Sequence, residues 1–267
     1  MRFMEAESIQ TCITSPPYFG LRDYGHAGQL GLKTTPDDFV AAMVEVFREV
    51  HRVLADDGTL WLNLGDSYGA AKQLLGIPWR VAFALQADGW HLRQDIIWHK
   101  PNPMPESVTD RCTKAHEYIF LFSKQPKYFF DNAAIKEPVA ASSVARLAQP
   151  TLAQQVGSAR VPGKTNGNMK AVGNGETRNR RSVWTVTTKP FKGAHFATFP
   201  PELIEPCVLA GSRVGDTVLD PFGGSGTTAG VAIKHGREAV LCELNPEYAA
   251  LVPNRIASIA GEGWDLL

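Results

Sequence analysis

The sequence predicts an α/β protein with a doubly wound, mainly parallel sheet, an antiparallel hairpin and an irregular insert. Apolar runs rich in β-branched and aromatic residues alternate with segments whose apolar residues recur at helical spacing. Strands that alternate with helices in this way usually pair in parallel, with helices covering both faces of the sheet. A length of 267 residues with 44% hydrophobic content suffices for one large core, alone or with an insert.

Local signals predict the elements of the first half. The segment IQTCIT (9–14) alternates and is rich in strand formers, so a strand is predicted to end at Ser15. Thr35 is an N-cap residue before a first-turn proline, and the apolar spacing beyond it predicts a helix that ends at Asp57-Gly58. The other predictions are a strand over 59–65, a helix over 78–90, and the strands LRQDIIWHK and HEYIFLFSK, joined by a proline-rich loop.

The alternation resumes at Pro200, after a long irregular stretch. Helices are predicted in PPELIEPCVLAG, SGTTAGVAIKHG and PEYAALVPNRIASIAG, the last interrupted or kinked at Pro253, and strands in DTVLDPF and EAVLCEL. From about 138 to 180 the sequence has no sustained period and is rich in Ala, Ser, Gln, Gly and Asn. We therefore expect one domain formed by residues 1–130 and 191–267, interrupted by a functional insert over 131–190; a flexible surface loop is the alternative.

Charge is unevenly distributed along the chain. The 27 lysines and arginines balance 27 aspartates and glutamates overall, but residues 136–192 contain ten basic residues against two glutamates, a net charge of +8. The remainder therefore carries −8. A basic segment within an acidic body is typical of a protein in which one part binds a polyanion.

Composition narrows the class of protein. No run approaches the ~18 apolar residues of a membrane helix, and the N-terminus lacks a signal-peptide pattern, so a cytoplasmic protein without a membrane partner is expected. The four cysteines, Cys12, Cys112, Cys207 and Cys242, form no C-x-x-C pair. We predict no metal site and expect all four cysteines to be reduced and structural.

The stretch TCITSPPYFG requires a stiff turn at the end of a strand. Pro16 and Pro17 lack an N–H group and cannot continue a central strand, so the chain must leave the sheet there. The turn places Ser15 and Tyr18 at the tip of the strand. Taken alone, the tetrapeptide also fits a proline turn with a buried tyrosine.

A second turn, VLDPFGGSGTT (218–228), joins a strand to a helix through three glycines. Glycine lets the backbone approach a ligand closely and leaves amides free at the start of the helix. No lysine follows the last glycine, which disfavours a phosphate-binding loop of the Walker type. Glu243 closes the next strand, where an acid suits the ribose hydroxyls of a nucleoside. An ordinary turn with exposed acids is the alternative.

The ordered set SPPY, RSVWTV, HFATFPPELIE and DPFGGSGTT strongly resembles the DNA amino-methyltransferases. These enzymes methylate the exocyclic nitrogen of adenine or cytosine with S-adenosylmethionine. The order, with SPPY first, looks like that of the permuted beta group, and the resemblance covers residues 9–131 and 182–262. It implies a Rossmann-like methyltransferase fold, S-adenosylmethionine as cofactor, and double-stranded DNA as partner of the insert, which would recognise the target.

The resemblance also implies roles for individual residues. The Ser15 hydroxyl and the Pro16 carbonyl, stiffened by Pro17, would accept the hydrogens of the target amine, and Tyr18 would stack on a base rotated out of the duplex. The residues expected to hold the amino-acid part of the cofactor are Asp220, Phe222, Gly223, Gly224, Ser225, Gly226 and Thr227. Glu243 would bind the ribose, and Thr198, Phe199 and Pro200 would close the pocket. Phe199 also fits a core position, and Asp66 is predicted either to line the site or to serve a turn.

Four basic residues near the end of the insert are predicted to contact DNA phosphates. They are Arg178, Arg180, Arg181 and Lys189. Phosphate contacts position the protein without specifying sequence.

One feature of the family is absent from its usual place. Members usually carry a strand ending in Gly-Asp before SPPY, with an acid that meets the cofactor adenine, whereas only MRFMEAES precedes the first strand here.

The resemblance leaves the target base open. In this family, serine rather than aspartate before PPY favours the N4 amino group of cytosine as the methyl acceptor. The N6 amino group of adenine is favoured almost equally. An RNA or protein amino-methyltransferase and a catalytically idle DNA-binding paralogue are the other readings. The oligomeric state also stays open, although members are often homodimers.

Overall fold

The computed structural model describes residues 1–140, 176–189 and 198–261, apart from residue positions 24 and 27, together with residues 142, 144 and 145. The chain divides into two compact units, one formed by Met1–Asp131 with Ser182–Leu267 and the other by Asn132–Arg181. The target-recognition role of the insert stays a prediction, and most of its irregular stretch lies outside the described residues.

The helices and strands alternate over most of the first unit. The strands are β1 (Ile9–Thr14), β2 (Leu54–Leu64), β3 (His91–His99), β4 (His116–Ser123), β5 (Glu137–Pro138), β6 (Thr177–Arg178), β7 (Val183–Thr185), β8 (Thr217–Asp220) and β9 (Glu238–Leu241). The helices are α1 (Pro36–Val53), α2 (Ile77–Ala87), α3 (Pro201–Gly211), α4 (Thr227–Lys234), α5 (Pro246–Ala249) and α6 (Val252–Ala260). Strands β5 and β6 pair with each other in the second unit.

Seven strands form one sheet in the order β7-β3-β4-β2-β1-β8-β9. Strands β2, β1, β8 and β9 are mutually parallel, whereas β4 runs antiparallel to both β2 and β3. The predicted mainly parallel sheet with an antiparallel hairpin is therefore confirmed. Because β1 and β8 are parallel neighbours, the turns that follow them start at the same edge of the sheet, where ligands of such sheets bind.

Helix α1 forms as its sequence predicts. The Thr35 hydroxyl accepts a hydrogen bond from the Asp38 amide at 3.1 Å, and Pro36 occupies the first turn. Its apolar face, which includes Phe39 and Phe47, is fully buried against the sheet core. The terminal helix is likewise divided into α5 and α6, with Pro253 in the first turn of α6, as predicted.

The end of α1 differs from the prediction. The helix stops at Val53, and β2 begins at once at Leu54, so Asp57 and Gly58 lie within the strand. Ile9 pairs with Leu54 but Thr11 pairs with Thr59, so the pairing of β1 with β2 is irregular between these positions. Glycine suits position 58 in this irregular stretch because a Cβ there would lie 2.8 Å from the Ala55 carbonyl oxygen. Asp57 and Gly58, which are typical turn residues, therefore lie in an irregular part of a strand and not in a loop.

The cysteines do not share one environment. All four are free thiols, and Cys12 and Cys207 are fully buried in the core, as expected. Cys112, however, is exposed in the loop between β3 and β4, so the prediction of a structural role is wrong for this residue. Among the described residues, no helix is long and apolar enough to cross a bilayer.

Candidate active site

The SPPY corner begins where β1 ends. Thr14 is the last residue of the strand and pairs with Leu62 of β2, so Ser15 follows next to Asn63. Pro16 is buried, and the Tyr18 ring is half-buried against Gly65, the residue that follows β2. A Cβ at position 65 would lie 2.5 Å from the Tyr18 ring, so glycine is required for this packing. The tyrosine is thereby held at the edge of the sheet.

A buried amide organises the polar atoms of this corner. Asn63 is 4% exposed, and its Nδ2 donates to the Tyr18 hydroxyl at 2.8 Å, to Glu117 Oε2 at 3.1 Å and to Ser15 Oγ at 3.3 Å. The Tyr18 hydroxyl itself donates to Glu117 Oε2 at 2.6 Å. Asn63 Oδ1 is buried without a protein hydrogen-bond partner. A buried acceptor without a protein partner is available to a ligand.

The glycine turn is anchored to the corner through Asp220. This residue is 2% exposed and accepts hydrogen bonds from Thr14 Oγ1 at 2.6 Å, Thr228 Oγ1 at 2.6 Å and the Phe222 amide at 3.0 Å. Burial raises its pKa to about 6, against the lowering effect of these hydrogen bonds, and the nearby Glu243 adds to the rise. The carboxylate therefore faces inward and ties β1 to the turn after β8; its contact with the cofactor stays a prediction.

Glycines shape the turn itself. Gly224 and Gly226 have φ values of +50° and +93°, and a Cβ at Gly226 would lie 2.9 Å from the Val252 side chain. The Gly224 amide donates to Glu243 Oε2 at 2.8 Å, and the Asn245 amide donates to Glu243 Oε1 at 2.8 Å. The Gly224 amide, three residues ahead of α4, is therefore occupied by Glu243; the free amides expected at the start of the helix stay a prediction.

The residues around the turn fit a bound cofactor. Ser225 is 3% exposed and its hydroxyl has no protein hydrogen-bond partner, which leaves a buried polar atom for a ligand. Thr198 and Pro200, ahead of α3, line a cavity of about 360 Å³ together with Arg255. Arg255 Nε donates to Thr227 Oγ1 at 3.2 Å, so this wall of the cavity reaches the turn. Gly223 packs tightly on Leu241, and Phe222 and Phe199 are half-buried.

The predicted DNA-binding residues are paired with acids in several cases. Within the second unit, Arg178 Nε and Arg181 Nε lie 2.9 Å and 2.7 Å from Glu137 Oε1. Lys189, in the first unit, forms an ion pair with Glu202. Arg180 is half-buried. The contact of these four residues with DNA stays a prediction.

Asp66 serves a local structural purpose. Its Oδ1 accepts from the amides of Ser67 and Ile77, both at 2.9 Å, so it ties the loop after β2 to the first turn of α2. Of the two predicted readings, the structure favours the turn.

Sequence reasoning missed Asn63, Gly65, Lys100 and Glu117. Glu117 is the second residue of β4, and its other oxygen, Oε1, forms an ion pair with Lys100. Pairing of Asn63 with Ile119 places the start of β4 next to the corner. The only local signal was polarity: an asparagine and a glutamate inside runs that otherwise read as buried strands.

The fold and the paired turns define a Rossmann-like methyltransferase that uses S-adenosylmethionine. The chain matches the family model of the N6/N4 DNA methylases over residues 9–254 and belongs to that family. It is 45% identical to the type II methyltransferase M.XycI of Xanthomonas campestris pv. cyanopsidis, over 96% of this chain and 84% of that protein. It is 44% identical to M.SmaI of Serratia marcescens, over 95% and 86%.

Solved structures share the architecture. The PvuII DNA methyltransferase (cytosine-N4-specific) aligns with a TM-score of 0.70 over 97% of this chain and 86% of its own, at 21% identity. TTHA0409 of Thermus thermophilus, solved in complex with S-adenosyl-L-methionine, aligns with a TM-score of 0.64 at 26% identity, over 98% and 92%. The protein therefore moves the methyl group of S-adenosylmethionine to an exocyclic amino group of a base in DNA, as its motifs predict.

Proposed function

We propose that the methyl acceptor is the N4 amino group of cytosine. The observation that carries this proposal is the serine at the head of the proline corner, because family habit associates serine there with cytosine and aspartate with adenine. Ser15 Oγ accepts a hydrogen bond of 3.3 Å from the side-chain amide of Asn63, which is neutral. The charged Glu117 is connected to Ser15 through this same Asn63 amide. The acceptors nearest the amine are then neutral oxygens.

In this proposal, the corner prepares the amine for attack. The lone pair of an aromatic exocyclic amine is delocalised into the ring, which makes the nitrogen a poor nucleophile. Acceptors that bind the two hydrogens draw the nitrogen toward a tetrahedral shape and localise the lone pair. Ser15 Oγ and the Pro16 carbonyl are the proposed acceptors, and Asn63 Oδ1, buried and without a protein partner, is a third. Tyr18 is the proposed stacking surface for the base.

The cofactor is proposed to lie along the glycine turn. Ser225 offers an unpaired hydroxyl, and Glu243 is fixed by two backbone amides with oxygen lone pairs left for ribose hydroxyls. Asp220 is proposed to preserve the shape of the turn through its three hydrogen bonds. S-adenosylmethionine supplies the electrophilic methyl group, and these residues hold and orient it.

Nucleoside analysis tests the choice of base. DNA from cells that express the protein would be digested to nucleosides and analysed by mass spectrometry, with DNA from cells that express Ser15→Ala as the control. We expect N4-methylcytosine from the wild type and none from the variant. N6-methyladenine as the new nucleoside would contradict the proposal. A second analysis, sequencing of the modified positions, would give the recognition sequence.

A further inference from the structure

Two hydroxyls and a carboxylate form a directed chain of hydrogen bonds at the corner. The Ser15 hydroxyl donates to the Tyr18 hydroxyl at 3.4 Å, and the Tyr18 hydroxyl donates to Glu117 Oε2 at 2.6 Å. Both donors point in the same direction, from the proposed position of the target amine toward Glu117. The first bond is the longer of the two.

The reaction must dispose of a proton. When the lone pair of the amine nitrogen forms the new bond to the methyl carbon, the carbon–sulfur bond breaks and its electron pair stays on sulfur. The nitrogen then carries a positive charge and one hydrogen too many. A half-buried site needs a route by which that hydrogen leaves as a proton.

We propose that Glu117 is the terminal proton acceptor of this reaction, reached through the hydroxyls of Ser15 and Tyr18. The nitrogen gives its proton to Ser15 Oγ, Ser15 gives its own to Tyr18, and Tyr18 gives its own to Glu117 Oε2. Each hydroxyl ends the step with one proton, and the carboxylate becomes a carboxylic acid that later loses its proton to solvent. The inference rests on the corner roles proposed for Ser15 and Tyr18, but not on the identity of the base.

The surroundings of Glu117 suit this task. The carboxylate is held on one oxygen by Asn63 and Tyr18 and on the other by Lys100, and the side chains of Glu117 and Lys100 are only 15% and 18% exposed. Lys100 Nζ also lies 4.2 Å from the centre of the Trp98 ring, which fixes the ammonium. Among the residues that the structure describes, Lys114 and His116 also interact electrostatically with Glu117. Burial lowers the pKa of both, and the opposite charge of Glu117 opposes the shift.

Glu117→Gln tests the proposal while preserving shape. Glutamine can still accept from the Tyr18 hydroxyl but cannot take up a proton. In single-turnover methyl transfer with saturating cofactor and target duplex, we expect a loss of about 10²-fold to 10⁴-fold, the usual contribution of general base catalysis. The acidic limb of the wild-type pH–rate profile should disappear in the variant. Binding of S-adenosylmethionine, measured by calorimetry, should stay unchanged.

Tyr18→Phe interrupts the same chain at its middle member and retains the aromatic ring. Because both variants remove one pathway, the double variant should be no slower than the slower single variant. Asp88→Asn is the matched control, since Asp88, at the end of α2, also forms a carboxylate–cation pair, with Arg48 of α1. The control should keep both the rate and the pH profile of the wild type.

Three results would overturn the relay. A Glu117→Gln rate close to that of the wild type would show that proton uptake there is not needed. An acidic limb that persists in the variant, or additive losses in the double variant, would assign Glu117 to positioning alone. Failure of the proposed function is separate: if the wild type forms N6-methyladenine, the choice of cytosine is wrong, while the relay still predicts the same profiles.

Discussion

At the scale of single residues, the corner depends on how closely Tyr18 approaches Gly65. Gly65→Ala would place a methyl group 2.5 Å from the ring and displace the tyrosine. We expect a loss of about 10²-fold in methyl transfer, the usual consequence of a misplaced reacting group, with cofactor affinity unchanged. Gly69→Ala, in the same loop, is the control, because its Cβ would meet only the flexible end of Leu75. Equal rates for both variants would contradict the packing argument.

Asp220 gives a prediction for stability against pH. Its pKa in the folded protein, about 6, lies above its ordinary value of 3.8, so the folded state binds more protons between these limits. The free energy of unfolding should therefore fall as pH rises from about 4 to about 6, by about 3 kcal/mol at 1.36 kcal/mol per pKa unit. The free energy of unfolding of the wild type and of Asp220→Asn would be measured with denaturant across this pH range. The difference between the two proteins at each pH isolates the contribution of Asp220. A difference that does not change with pH would contradict the assignment.

Ser15 and Tyr18 could be predicted from the sequence because they share one short motif with a distinctive turn. Asn63 and Glu117 could not, because they come from separate strands and meet the corner only through the register of β2 and β4. No local pattern distinguishes an asparagine inside LWLNL that bridges three groups from one that does not. The orphaned oxygen of Asn63 is visible only in three dimensions.

At the scale of elements, the glycine turn joins β8 to α4 and its shape is coupled to α6. Gly226→Ala would combine backbone strain at φ +93° with a contact of 2.9 Å to Val252. We expect the dissociation constant for S-adenosylmethionine, measured by calorimetry, to rise about tenfold or more, since such strain costs about 1–3 kcal/mol. Gly236→Ala is a matched control, with φ +73° but at the far end of α4. If both variants bind the cofactor equally, the turn does not hold it.

Most elements could be predicted from the sequence because periodicity and caps agree. The prediction failed at the junction of α1 and β2, where α1 ends at Val53 and Asp57 and Gly58 lie in an irregular stretch of β2. Turn residues specify backbone shape but not whether the flanking strand continues past them, which the pairing with β1 decides.

At the scale of the whole molecule, the basic segment is predicted to bind DNA through phosphates. The logarithm of the association constant should then fall linearly with the logarithm of the salt concentration. The slope should be about −0.9 for each contacted phosphate. Replacing Arg178 and Arg181 with alanine should reduce the magnitude of that slope in fluorescence-anisotropy titrations. Arg48→Ala is the control, because Arg48 pairs with Asp88 in the other unit. An unchanged slope for the double variant would remove these arginines from the DNA surface.

The central claim is that folding joins the proline corner and the glycine turn into one site for an extruded base. A crystal structure with a non-reactive cofactor analogue and target duplex tests it most directly. We predict that the exocyclic nitrogen of a flipped cytosine lies at hydrogen-bond distance, about 2.7–3.2 Å, from Ser15 Oγ and from the Pro16 carbonyl oxygen. A target base still stacked in the duplex, or an amine bound away from Ser15 and Pro16, would contradict the account.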